Sequence, residues 1–340
     1  MKKVSIVGTT SWGTTLAMVL AGNGFQVVLL ARTSDEAIGL ERDKENKRLL
    51  PGYHFPENIL VTASKDEALA GSSMVVFAVP SKSLRDNVRS LSYQVASDSM
   101  IVSATKGLEK GSAKRMSQIM EEELSGDLHA KICVLSGPNL ANEIASGKPA
   151  STVIASADEV VAIQAQSLFM STKFRVYTSD DMVGVELGGS LKNIIALGAG
   201  ISDGLGYGDN GKAAFITRGL VEITRLGVAA GAHPMTFAGL AGLGDLIATC
   251  GSPLSRNRYV GEQLAYGRHL DQVLSSMGSV AEGVDTTAAA MLLAANLGVD
   301  MPLINAIHRV LFDGLDPRKV VGELMTRAPS TEWRGIKDLQ

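Results

Sequence analysis

The chain reads as an α/β protein: a Rossmann-type N-terminal domain on a mostly parallel, doubly wound sheet, followed by an all-α C-terminal domain. Three observations predict this. Residues 4–24, VSIVGTTSWGTTLAMVLAGNG, have the order strand, glycine turn, helix. Short β-branched runs then alternate with helical segments through the first half, as a parallel sheet requires. From about Asp181 such runs disappear, and Gly, Ala, Leu and Met fill long segments at helical spacing.

Val4 to Val7 is continuously apolar, as in a strand buried on both faces, and Gly8 ends it. A helix follows from about Ser11, with Leu16, Val19 and Leu20 on its inner stripe, so its free N–H groups and positive dipole end lie beyond the strand. That is a cradle for a pyrophosphate. Gly8 and Gly13 match the outer glycines of the dinucleotide fingerprint, but Thr10 stands at the middle position. Its Cβ occupies space meant for a ligand, and its hydroxyl could compensate with a hydrogen bond. Gln26–Leu30 completes the first βαβ unit. Further strands are expected at Ile59–Thr62, Met74–Val79, Met100–Ala104, Ile132–Leu135, Thr152–Ala155 and Arg175–Tyr177, with helices such as Ser112–Leu124 and Glu159–Phe169 between them. The domains divide as 1–182, binding the dinucleotide, and 183–340, helical and carrying substrate binding and catalysis. A polar, frayed tail is expected after Pro329.

With 340 residues, 45% of them hydrophobic and 20% charged, the chain is globular. A formal net charge of −3 and the lack of a long basic block argue against a nucleic-acid partner. Cys133 and Cys250 are the only cysteines, so no disulfide framework or zinc cluster is expected, although a single bridge between them stays open. No apolar stretch has the length of a transmembrane span, and the N-terminal run is broken too early for a signal sequence. A cytoplasmic location without stable membrane insertion is the expectation. The Gly/Ala/Leu-rich helices of the second half offer a surface for a homodimer.

Ligands of open α/β sheets bind beyond the carboxyl ends of the strands. Three strand ends there carry informative residues: Arg32 after QVVLLA, Lys106 after IVSAT, and Ser136, Gly137 and Asn139 after ICVL. An arginine at the end of the second strand can meet the 2′-phosphate of NADP, where an acidic residue would hold the ribose of NAD. Taken singly, Arg32 and Lys106 are also read as solvated strand-end cations. In the second half, Lys192 sits in VGVELGGSLKNIIALGAGI, small or apolar nearly all round, so its helix should be buried and its amine should hold its proton less tightly. Such an amine can exchange a proton with an alcohol, and Asn193 beside it can orient a substrate. The plainer reading is a lysine snorkelling from a helix edge. Asp245, among glycines and apolar residues in GLAGLGDLIATC, needs a cation, and Lys192 is a natural one. Ser255 can cap a helix opening with Arg256, Asn257 and Arg258, where two cations oppose the dipole unless a phosphate sits there. The histidines show no metal-ligand spacing, and no metal is expected.

These segments together resemble the bacterial NAD(P)-dependent glycerol-3-phosphate dehydrogenases. The resemblance is carried in order by GTTSWGTTLA at 8–17, ATKGLE at 104–109, SGPNLANEIASG at 136–147, GVELGGSLKNIIALGAGISDGLGYGDN at 184–210, GLAGLGDLIATC at 239–250, SRNR at 255–258 and AEG at 281–283. It implies that Ser11, Trp12, Arg32, Lys106, Ala141, Arg256, Val280 and Glu282 meet the dinucleotide. It also implies that Lys106, Gly137, Asn139, Lys192, Asp245, Ser255, Arg256 and Asn257 surround the substrate, with Lys192 as proton acceptor. The implied reaction is reversible reduction of dihydroxyacetone phosphate to sn-glycerol 3-phosphate, with NADH or NADPH as hydride donor, supplying phospholipid synthesis. Two positions depart from the family pattern: Thr10 replaces a glycine, and Asn139 stands where serine or threonine is common. The competing expectations are a dinucleotide sensor without chemistry, and a dehydrogenase acting on another phosphorylated hydroxy acid.

Overall fold

The computed structural model describes residues 2–277, 281–329 and 331–332. Its internal contacts divide the chain into two units, Met1–Thr105 with Met116–Met182, and Lys106–Arg115 with Val183–Gln340.

In the first unit the apolar runs form eight strands: β1 (Lys3–Val7), β2 (Gln26–Leu30), β3 (Ile59–Thr62), β4 (Ser72–Phe77), β5 (Met100–Ser103), β6 (Ile132–Ser136), β7 (Ala150–Ser156) and β8 (Phe174–Ser179). They lie in one sheet in the order β3-β2-β1-β4-β5-β6-β7-β8. All neighbours are parallel except β6 and β7. The connection 137–149 holds only the one-turn helix α6 (Ala141–Ala145) and turns the chain back, whereas parallel neighbours need a full crossover. The order reverses between β1 and β4, so the crevice beyond their carboxyl ends is the place for a ligand.

Helices cover both faces of this sheet. Val4, Ile6, Val27, Leu29, Met74 and Val76 pack on one side with α1 (Ser11–Gly22), α2 (Ser34–Asp43) and α7 (Glu159–Phe169), through Leu16, Leu20, Ala37, Leu40, Ala165 and Phe169. Alternate residues Val7, Val28, Val75, Phe77 and Ile101 face α3 (Lys65–Leu69), α4 (Ser81–Leu91) and α5 (Met116–Glu123). Continuous apolar strands are what such two-sided burial demands. The expected helix 112–124 starts only at Met116, because residues 106–115 are taken by the second unit. A sequence division at 182/183 leaves those ten residues with the first unit; the contacts place them with the second.

The second unit is helical. It comprises α8 (Met182–Gly204), α9 (Gly208–Ala229), α10 (Asp245–Gly251), α11 (Arg256–Ala265), α12 (Leu270–Ser276), α13 (Glu282–Leu297), α14 (Pro302–Phe312) and α15 (Pro317–Met325). Every residue of α8 from Gly184 to Ser202 is buried, as its small and apolar sequence requires. Where α8 crosses α11 the backbones touch: a Cβ on Gly200 would stand 1.9 Å from the Arg258 carbonyl oxygen, and one on Gly261 would stand 1.9 Å from that of Leu197. Only glycine permits this approach, and it brings Asn193 of α8 to Asn257 of α11. Among the described residues no helix is long and apolar enough to cross a membrane. Of the expected tail, Ser330 and 333–340 lie outside the described residues.

Candidate active site

In the second unit two expected lysines meet on one expected carboxylate, Asp245. Lys192 of α8 donates from Nζ to Asp245 Oδ1 at 2.6 Å and to Thr249 Oγ1 at 2.5 Å. Lys106 donates to the other oxygen, Asp245 Oδ2, at 2.6 Å. Asp245 is 1% exposed and Lys192 7%, so Lys192 is no snorkelling side chain. One π-helical turn, Leu240–Gly244, leads into α10 and sets Asp245 at the helix start, while Thr249 follows four residues later on the same face. Burial pushes the Lys192 ammonium down to about 8. Asp245 opposes that shift by attraction, and the charge of Lys106 adds to it. Lys192 therefore changes protonation close to neutrality, which a proton donor and acceptor requires.

Beside this cluster, Asn193 Oδ1 accepts from Asn257 Nδ2 at 2.9 Å, and Asn257 Oδ1 accepts from the Gly283 amide at 3.0 Å. Among the described residues nothing accepts from Asn193 Nδ2, leaving it able to donate to a ligand. Ser255 caps α11 as expected, accepting from the Arg258 amide at 3.3 Å. The two arginines of the first turn part company. Arg258 donates to Asp203 at 2.6 Å, next to Lys212, which shares the same oxygen at 2.8 Å. Arg256 is exposed, and among the described residues its side chain makes no hydrogen bond or ion pair; Glu282, which opens α13, is the carboxylate that acts on its charge. The opposition of cation and dipole is thus relieved at Arg258 by Asp203 and is left open at Arg256 alone. Val280 lies outside the described residues.

In the first unit the cradle is tight. Gly8 has φ +109°, and a Cβ there would lie 2.8 Å from Val79 Cγ1; a Cβ on Gly13 would lie 2.1 Å from the Gly8 carbonyl oxygen. Thr10, at φ −66°, strains nothing. Its Oγ1 accepts from the Gly13 amide at 2.9 Å and donates to the Ala78 carbonyl at 2.7 Å. The expected hydrogen bond from this hydroxyl to a ligand is therefore corrected: its one proton already goes to Ala78, which ties the helix start to the end of β4. Farther along the sheet, Asn139 Nδ2 donates to Thr152 Oγ1 at 2.9 Å, and Thr152 donates in turn to the Ser136 carbonyl at 3.0 Å. A Cβ on Gly137 would lie 3.0 Å from the Thr152 Cα. Two residues after Asn139, α6 begins at Ala141, whose carbonyl accepts from Thr15 Oγ1 at 3.3 Å.

A family profile for the N-terminus of the NAD-dependent glycerol-3-phosphate dehydrogenases matches residues 3–162, and the profile for their C-terminus matches 181–322. The chain belongs to this dehydrogenase family. It is 52% identical over 338 residues to a glycerol-3-phosphate dehydrogenase (NAD(P)+) of Dehalococcoides mccartyi, covering 99% of this chain and 94% of that one. Its identity to the enzyme of the same name from Geobacillus thermodenitrificans is 48% over 340 residues, 100% of this chain and 99% of that one. The crystal structure of glycerol-3-phosphate dehydrogenase from Coxiella burnetii matches with a TM-score of 0.91 at 37% identity, over 96% of this chain and 99% of that one.

The dinucleotide that such a dehydrogenase uses fits the first unit on two observations. Val79 and the Gly8 carbonyl exclude side chains at Gly8 and Gly13, which keeps the turn from β1 into α1 as tight as the dinucleotide fingerprint requires, and among the described residues the buried Trp12 Nε1 has no hydrogen-bond partner. The amides of Ser11 and Trp12, at the start of α1, have no acceptor within the helix. Two neighbours of these sites escaped the sequence reading. Glu36 accepts from Thr9 Oγ1 at 2.7 Å and from the Arg32 amide at 3.2 Å, so an acid does stand at the end of β2 beside the exposed Arg32. Its signal was the capping pattern Thr33-x-x-Glu36 after an apolar strand, with Thr33 Oγ1 accepting from the Glu36 amide. Thr249 was signalled only by its spacing from Asp245. Cys133 and Cys250 are free and buried, which pushes both thiols up to about 12 and leaves them inert. Among the described residues no group of three or more His, Cys, Asp or Glu is placed to hold a metal ion.

Proposed function

We propose that the chain catalyses reversible NAD(P)H-dependent reduction of dihydroxyacetone phosphate to sn-glycerol 3-phosphate, in the cytoplasm and as a supply for phospholipid synthesis. The observation that carries this reading is the buried Lys192 amine, held on Asp245 with Lys106 on the opposite oxygen. Gly8, Thr10, Ser11, Trp12 and Gly13 would hold the dinucleotide, together with Arg32, Lys106, Ala141, Arg256, Val280 and Glu282. When bound, the reduced nicotinamide supplies the hydride.

Lys192 gives its proton to the C2 oxygen of the triose during reduction and takes it back during oxidation. In its ammonium form it polarises the C2 carbonyl, and Lys106 adds positive charge where negative charge develops on that oxygen. Asp245 aims both amines, and Thr249 accepts a second hydrogen bond from Lys192, which restricts the donor's rotation. The substrate phosphate rests at the start of α11, on Arg256, Asn257 and the cap made by Ser255, so that binding away from C2 orients the reacting carbon. Asn193 Nδ2 completes the polar surroundings in the second unit, and Gly137 and Asn139 are the first unit's candidates for substrate binding. Residues 1–182 carry the dinucleotide and 183–340 the substrate, with Lys106 serving the latter, and the Gly/Ala/Leu-rich helices of the second half offer a surface for a homodimer. No step assigned to these side chains calls for a metal.

Oxidation of NADH and of NADPH is followed with dihydroxyacetone phosphate and with a panel of keto acids. Turnover on the triose phosphate is expected, and Lys192→Ala should lose nearly all of it while still binding cofactor. Turnover on the panel but not on the triose phosphate would overturn the substrate, and near-normal turnover of Lys192→Ala would overturn the proton-transfer role.

A further inference from the structure

The residues that bring Lys106 to Asp245 are on α8, the helix that carries Lys192. The segment 106–115 is fastened to the second unit at three points. At its start the Gly107 amide donates to Ser190 Oγ at 2.9 Å, and that hydroxyl donates back to the Gly107 carbonyl at 3.1 Å. In its middle Leu108, 1% exposed, enters the hydrophobic core formed with Leu187, Leu191 and Ile194. At its end Arg115 Nη1 donates to Glu186 Oε2 at 2.5 Å, with both side chains largely buried. Glu186 and Ser190 are four residues apart on one face of α8, and Lys192 follows two residues after Ser190.

A hydroxyl that engages both the N–H and the C=O of one residue fixes the orientation of the two peptides around it. Gly107, at φ +145°, adopts a backbone geometry with little tolerance for a side chain, so the direction in which Lys106 leaves the chain is set one residue from that anchor. We propose that Ser190 and Glu186 are positioning residues that act through Lys106, holding its ammonium on Asp245 Oδ2 so that its charge acts on Lys192. This rests on the catalytic reading of Lys192 and Lys106 given above. The groups facing the Lys192 amine are Asp245, Thr249 and the Cys250 thiol from α10 and Lys106 from the fastened segment; of the two amines only Lys106 can drift without α8 itself moving. Lys106 lowers the proton affinity of Lys192, so loosening it should raise that affinity.

The test is a double-mutant cycle of Ser190→Ala with Lys106→Ala, alongside Glu186→Gln, which keeps the shape of the side chain but removes its charge. Ser190→Ala should reduce kcat about tenfold in the wild-type background and add almost nothing in the Lys106→Ala background. In cofactor-free protein, the pH dependence of acylation at Lys192 Nζ, read by mass spectrometry, should move up by about half a unit or more in Ser190→Ala, and less in Glu186→Gln. Losses that add in the double mutant, or a lower melting temperature with the Lys192 titration unmoved, would overturn the proposal in favour of a purely structural role. Wild-type turnover in the Lys106→Ala single variant would instead show that the role given to Lys106 is wrong, and the positioning role would fall with it.

Discussion

Replacing Asp245 by asparagine keeps the shape of the site and removes the charge between two amines. Both lysine nitrogens stand 2.6 Å from its oxygens. With charge centres about 4 Å apart and an effective dielectric of about 20, each attraction is about 4 kcal/mol, equivalent to about three pKa units for Lys192. Water entry and retreat of Lys106 offset part of that, leaving a net fall of about two units. Lys192, at about 8 in the native protein, would then titrate near 6 by the same arithmetic. At pH 7 the ammonium fraction would drop from about nine-tenths to about one-tenth, a roughly tenfold loss in reduction from population alone. One of the two carboxylate oxygens becomes an NH2 that cannot accept from the lysine facing it, so lost orientation should bring the total to about 100-fold or more. The assay is steady-state reduction of dihydroxyacetone phosphate from pH 5 to 9, with cofactor affinity measured separately by fluorescence. The alkaline limb should move about two units toward acid while cofactor affinity holds. A limb that stays near pH 8 with kcat near normal would refute the argument that Asp245 sustains the Lys192 charge.

Three further outcomes are expected. Arg256→Ala should raise KM for dihydroxyacetone phosphate by about 10- to 100-fold with a smaller change in kcat, the loss of one charge-assisted contact to phosphate; an unchanged KM would remove Arg256 from the phosphate site. Thr10→Ala should cost about 1 kcal/mol in urea unfolding, because it uncaps α1 and leaves the Ala78 carbonyl without its donor, and equal stability would count against that cap. Burial raises the Glu222 carboxyl from 4.5 to about 7, against the opposing hydrogen bonds from the Leu303 and Ile304 amides at 2.7 and 3.1 Å. Between those pH values the native state holds a proton that the unfolded chain releases, so stability falls as pH rises through this window. Glu222→Gln should flatten that fall, on the order of 2–3 kcal/mol in urea melts at pH 5 and pH 8, and an unaltered slope would refute it.

The inner strands were legible because two-sided burial writes itself as continuous apolar runs, the edge strands β3 and β8 because β-branched and aromatic residues alternate there with exposed ones, and α8 because its sequence is small or apolar nearly all round. The Lys192–Asp245 pairing followed from cost alone: each was a charge in an apolar stretch, and each needed the other. Other features depend on partners too remote for local pattern. Lys106 is 139 residues from Asp245, and residues 112–115 looked like the beginning of a helix until Leu108 and Arg115 were claimed by the second unit. Arg258 resembled Arg256 until Asp203, 55 residues away, took its guanidinium. The partner of the Thr10 hydroxyl was hidden for a different reason. A residue letter does not tell which way a hydroxyl turns, and this one turns to Ala78.

The fastened segment also imposes an order on biosynthesis. Lys106–Arg115 emerges from the ribosome between β5 and β6, long before α8 exists to receive it. The nascent sheet can form around a loop whose Leu108 has no apolar shelter, and the helical unit cannot complete its core until that loop is returned to it. A fragment beginning at Val183 would contain Lys192 and Asp245, yet it would lack Leu108 and one of the two cations on Asp245. The two halves of the gene are therefore poor candidates for separate expression or exchange between relatives, because ten residues encoded in the first are structural parts of the second.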